Sequence, residues 1–218
     1  MFALAVLLKI ATSHDVLDFD FLGLAHADGY YFWDKSYTVT NHSTWIGDSM
    51  SVIGDKTLKE ITLPGTHDSG AFNLTASIIV PGEANELEAK IIEIAEYVGI
   101  PAEYLITVWA LAQDQDFYSQ MVGGIRYFDL RCGWDNDTQT WRTFHMEFGH
   151  PLENLLSDIN RFMTEFPSEI VVVEASHQDG APSSDDDTEL ADLLIHYLGD
   201  FMYPRGESLD LNISQMVA

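Results

Sequence analysis

Positive charge is scarce in this chain. Only 10 of its 218 residues are Lys or Arg, against 35 Asp and Glu, a formal net charge of −25. Nucleic-acid binding needs clustered cations to displace counterions, so a nucleic-acid partner is excluded. The same balance opposes docking on an anionic bilayer and leaves apolar insertion or zwitterionic surfaces. Cys132 is the sole cysteine, so no internal disulfide can form. No apolar run approaches the roughly 20 residues of a transmembrane helix, so none is predicted. There is no internal repeat either.

What is present is a set of polar side chains at the ends of apolar runs. Ile61-Thr62-Leu63 leads through Pro64-Gly65-Thr66 to His67-Asp68-Ser69-Gly70. Gly124-Ile125-Arg126-Tyr127-Phe128-Asp129-Leu130-Arg131 reads as a strand ending in a carboxylate and a guanidinium. Asp129 and Arg131 are two residues apart and so share a strand face. Thr143-Phe144 leads to a second histidine, His145. A barrel mouth built from strand ends is a common place for such groups. The residue types suit phosphodiester cleavage by an internal hydroxyl. That reaction needs a base for the hydroxyl, an acid for the leaving alkoxide, and positive charge beside the phosphoryl oxygens. Histidine serves both proton roles near neutral pH, and arginine offers a fork matching two phosphate oxygens. Blander readings of the same residues are a turn-favouring His-Asp pair and a structural Asp129–Arg131 ion pair. Glu174, at the end of Val171-Val172-Val173, is a possible substrate-binding residue or a partner for Arg131. The remaining histidines have no motif around them, and His177 reads as a loop residue.

The motifs LPGTHDSG, GIRYFDLRCGW, TFHMEFGH and PSEIVVVEASH occur in that order. Together they resemble the X domain of phosphatidylinositol-specific phospholipase C, on its bacterial-like, X-domain-only branch, over roughly residues 45 to 200. The resemblance implies a TIM-type (β/α)8 barrel and a phosphoric diester hydrolase that releases diacylglycerol and an inositol cyclic phosphate from phosphatidylinositol or a GPI-type lipid. It makes His67 the general base, His145 the general acid and Arg131 the phosphate-binding group. Asp68 would orient Arg131 and the acid histidine, and Asp129 is the second carboxylate. Calcium-dependent members carry a metal-binding carboxylate where this chain has Arg131, so the expected chemistry is calcium-independent, with no cofactor. The expected partner is a phospholipid at a membrane surface, and no obligate protein partner is indicated. Two alternatives stand: a catalytically weak, truncated X-domain binding module, and a glycerophosphodiester phosphodiesterase-like enzyme.

The expected organisation is an N-terminal leader over residues 1–44 and an X-like domain over 45–218, carrying only the N-terminal half of an α/β barrel. Strands are expected near 59–65, 125–131, 142–146 and 169–175. Helices are expected over Asn85 to Val98, Gln113 to Val122, Leu152 to Phe166 and Thr188 to Tyr203, and their alternation with strands predicts parallel pairing. Leu152, Leu155, Leu156, Ile159, Phe162 and Met163 line one helix face. Gly29-Tyr30-Tyr31-Phe32-Trp33 is a candidate interfacial segment. Four sequons, at Asn41, Asn73, Asn136 and Asn212, use four of only seven asparagines and favour a secreted protein.

Overall fold

The computed structural model describes residues 41–75, 90, 93–95, 97, 99, 101–179, 184–203 and 210–218. The aromatic segment Gly29 to Trp33 lies outside them, and the helix expected over Asn85 to Val98 falls mostly outside. Among the described residues, five strands form one sheet: β1 (Gly65–Thr66), β2 (Tyr127–Asp135), β3 (Thr140–His145), β4 (Glu147–Pro151) and β5 (Val172–Asp179). The helices are α1 (Trp45–Asp48), α2 (Met50–Ile53), α3 (Ala102–Ala110), α4 (Phe117–Val122), α5 (Leu152–Glu165), α6 (Ser184–Leu198) and α7 (Ile213–Met216).

β2 is the axis of the sheet. It pairs in parallel with β1 through Tyr127 and Phe128, and with β5 along most of its length. β1 is short because Pro64 has no N–H to give; its carbonyl accepts instead from Arg126 and Tyr127 N–H. Of the strand expected near 59–65, only Gly65 lies in β1, and a 3-10 turn, Leu58–Glu60, precedes it. The expectation of purely parallel pairing is corrected. β3 returns antiparallel to β2, and β4 antiparallel to β3. Residues 136–139 are too short for a helical crossover, which needs a dozen or more. They form a turn held by Asp135, which accepts from the Asp137 and Thr138 N–H groups and the Thr138 hydroxyl. His177 also differs from expectation: its backbone lies in β5, in register with Arg131.

Alternation along β2 sends Phe128, Leu130, Cys132 and Trp134 to one face and Asp129 and Arg131 to the other. The first face is buried against Leu152, Leu155, Leu156, Ile159 and Phe162 of α5, with Leu190 and Leu198 of α6 in the same core. Each such fully buried side chain contributes about 1.5–3 kcal/mol. α5 ends before Pro167, which disfavours the helical region at Phe166. A second core joins Trp45, Ile46, Ile53, Leu58 and Ile61 to Ile213 of α7. The chain thus builds a partial (β/α) barrel, open along part of its circumference, with one polar face of β2 left for chemistry.

Candidate active site

Asp68 is the hub of the site. It is buried, and it adopts a left-handed backbone (φ 48°), which is uncommon for a residue with a side chain. The turn around it is fastened from several sides. Ser69 N–H donates to the Asp129 carbonyl, and the Asp68 N–H donates to the Asp129 carboxylate. The Ser69 hydroxyl donates to the Thr66 carbonyl, and the Gln120 amide donates to the Ser69 carbonyl. Gly70 is required by close approach, since a Cβ there would stand 2.6 Å from Cγ2 of Thr143.

This turn aims the Asp68 carboxylate at three cations or potential cations. Its Oδ1 lies 2.5 Å from Arg131 Nε. Neither atom makes an aligned hydrogen bond, so the contact is a close ion pair rather than a fork. Its Oδ2 lies 3.3 Å from Nε2 of His67 and 3.3 Å from Nε2 of His145. The two rings differ beyond that shared oxygen. The His67 side chain is 73% exposed, and its Nδ1 meets Asp129 Oδ2 at 2.7 Å. The His145 side chain is 17% exposed, and its Nδ1 meets the Ala110 carbonyl at 2.7 Å. The Trp109 ring stacks on His145, with centroids 6.1 Å apart. His67, Asp68, Asp129, Arg131 and His145 thus form one connected cluster on the polar side of the sheet.

No protein-family model matches the chain. Among curated proteins, it is 27% identical over 187 residues to a PI-PLC X-box domain-containing protein of Dictyostelium discoideum, covering 86% of this chain and 23% of that protein. It is 30% identical over 123 residues to human PI-PLC X domain-containing protein 3, covering 55% and 37%. It is 29% identical over 126 residues to the 1-phosphatidylinositol phosphodiesterase of Staphylococcus aureus, covering 57% and 32%. The chain is similar to the PI-PLC X-domain family. It spans less than half the length of each of these relatives. Among solved structures, it matches the phosphatidylinositol-specific phospholipase C of S. aureus at TM-score 0.53 and 20% identity, over 80% of this chain and 50% of that one. The enzyme from Listeria monocytogenes gives 0.50 and 20%, over 80% and 55%. These likenesses establish the partial barrel.

Glu174 lies on the same face of the sheet, beside Asp129. Its backbone is in register with Asp129, but its carboxylate accepts the Tyr127 hydroxyl. Burial and that bond both push the Tyr127 hydroxyl above its usual range. Its recorded partner is therefore Tyr127, while Arg131 is paired with Asp68.

Several supports were not evident in the sequence. Helix α3 was not expected, because Ile106, Thr107 and Val108 are β-branched and favour strands. Gln113 donates to the His67 carbonyl. Fully buried Glu147 accepts the Thr107 hydroxyl at 3.0 Å on both oxygens; burial pushes its carboxyl up, and the Thr107 bond partly reverses this. Of these, Glu147 alone had a sequence signal: it is an acidic residue two positions beyond His145 in an apolar hairpin. His67, Asp68 and Asp129 also bring ligand atoms within 4.8 Å of one another. The Arg131 guanidinium already occupies one side of Asp68, which disfavours a cation there.

Proposed function

We propose that the chain cleaves the phosphodiester of phosphatidylinositol or a GPI-type lipid, releasing diacylglycerol and an inositol cyclic phosphate without a metal ion. The observation that carries this reading is the placement of one buried carboxylate, Asp68, between two histidines and an arginine. His67 takes the proton of the attacking inositol hydroxyl on Nε2, while Asp129 fixes its tautomer by accepting from Nδ1. The hydroxyl oxygen bonds to phosphorus as the bond to the diacylglycerol oxygen breaks. His145 Nε2 delivers the proton that this oxygen needs. Arg131, held by Asp68, faces the charge developing on the phosphoryl oxygens. Asp129 thereby orients the base from within the described half of the barrel.

Substrate must reach this cluster from a lipid surface. Helix α3 exposes Tyr104, Val108 and Trp109, and Leu111 follows them. Trp109 borders His145, so the apolar surface is continuous with the site. Aromatic side chains at such an edge suit the interface of a zwitterionic membrane. No described helix is long and apolar enough to cross a membrane.

The test is cleavage of phosphatidylinositol in zwitterionic vesicles, with chelator and with added calcium. The expected result is equal turnover in both, lost in His67→Ala and in His145→Ala. A strict calcium requirement would overturn the metal-free mechanism. No cleavage by correctly folded protein under either condition would favour a binding module.

A further inference from the structure

The last turn of α3 does more for His145 than cover it. Three contacts pin this turn to the β3–β4 hairpin. Thr107 donates to Glu147, the Ala110 carbonyl meets His145 Nδ1, and Trp109 lies across the His145 ring. We propose that Trp109 is a positioning residue that holds His145 as the proton donor of the reaction. The inference rests on the reading of His145 as the general acid.

The argument starts from what each ring nitrogen faces. Nδ1 faces a carbonyl oxygen and Nε2 faces the Asp68 carboxylate, and both can only accept. A proton on Nδ1 is therefore held by the carbonyl, and one on Nε2 is directed at Asp68 and the site. The charged groups around it are Asp68 from the β1 turn, Arg131 and His67 through that same carboxylate, and Glu147 across the hairpin, which Thr107 occupies. The Trp109 face supplies the remaining wall. Indole is the best aromatic surface for a cation, and the 6.1 Å separation at 23° is a stacked arrangement. It also stops the ring from rotating away from Asp68. Trp109 is itself 53% exposed, so its conservation of fold is of little consequence, and its removal should leave the protein folded.

The experiment compares Trp109→Ala and Trp109→Phe with the wild type on two diesters of inositol phosphate. One is a short-chain, water-soluble phosphatidylinositol, whose alkoxide leaving group needs an acid. The other has a nitrophenol leaving group, which departs without one. Trp109→Ala is expected to slow the first by up to ~10²-fold through misplacement of the donor, and to leave the second near its wild-type rate. Trp109→Phe should restore most of the loss. In parallel, the Nδ1 proton signal of His145 should be protected from solvent exchange by the Ala110 carbonyl in the wild type and in Trp109→Phe, but not in Trp109→Ala. Equal slowing of both diesters with unchanged His145 signals would overturn the proposal. If the wild type cleaves neither diester, the phosphodiesterase reading falls, and the His145 signal alone decides: no change in Trp109→Ala overturns the positioning role.

Discussion

Two arginines five positions apart show how differently this chain uses the same side chain. Arg126, just before β2, is fully buried, and every N–H direction finds an acceptor. Nε and one terminal nitrogen donate to Glu169, and the terminal nitrogens also reach the carbonyls of Met121, Ile125, His42 and Ser43. Glu169 in turn accepts from the N–H groups of Ile46 and Gly47. Burial pulls the Arg126 guanidinium down and pushes the Glu169 carboxyl up, each opposed by the partner charge. Arg131, inside β2, is partly exposed, and its Nε meets Asp68 without alignment. A saturated guanidinium holds parts of a fold together, whereas an incompletely satisfied one beside two histidines has something left to bind. That contrast, more than burial alone, separates a structural ion pair from a functional one.

The strongest way to break the comparison is at the saturated pair. Glu169→Ala strands Arg126 in the interior and is expected to cost about 3–5 kcal/mol of stability. Turnover per folded molecule should hardly change. Denaturant unfolding alongside an activity assay measures both, and a lost turnover with intact stability would erase the distinction.

Arg131→Lys probes the other side. Lysine lacks the planar fork, so turnover should fall by roughly 10²–10³-fold with a smaller change in Michaelis constant. The thermal midpoint should move little. A lowered midpoint with unchanged turnover would make Arg131 structural after all.

His67→Ala should reduce turnover by at least ~10²-fold, and Asp129→Asn by less, since it removes only the group that orients the base. Kinetics and thermal midpoints on both variants check the order. Equal rates for His67→Ala and wild type would remove His67 from the mechanism.

The smallest effect is at Glu147. Its carboxyl is raised, so the folded state holds the proton more tightly than the unfolded chain, whose value is about 4.3. Stability from this group is complete below the unfolded value and is lost as pH rises through the folded one. Glu147→Gln should therefore flatten the fall of the thermal midpoint as pH rises above the unfolded value. An unaltered slope would place the pH dependence elsewhere.

Much of the cluster was legible because it obeys local rules. Period-two alternation placed Asp129 and Arg131 on one face of β2, and the Pro-Gly turn marked His67 and Asp68 at a strand end. The α5 stripe of Leu152, Leu155, Leu156, Ile159 and Phe162 read directly as a buried face. The antiparallel hairpin across residues 136–139 was not read, because the strands were expected to end at 131 and begin again at 142, and the strand–helix alternation pointed to parallel pairing. Helix α3 was hidden because its β-branched residues favour extended backbone, and tertiary contact with the hairpin overrides that preference.

By itself, the sequence determined which groups are available and which share a strand face, since side-chain chemistry and the pleat of a strand act over a few residues. It also determined the acidity that disfavours polyanionic partners. Only the tertiary structure decided which oxygen serves which histidine. His67 and Asp129 are 62 residues apart, and their pairing depends on β1 lying beside β2. The Ala110 carbonyl that meets His145 belongs to the backbone, which every residue carries alike. No residue type marks it, so its role exists only where the fold brings α3 against the hairpin.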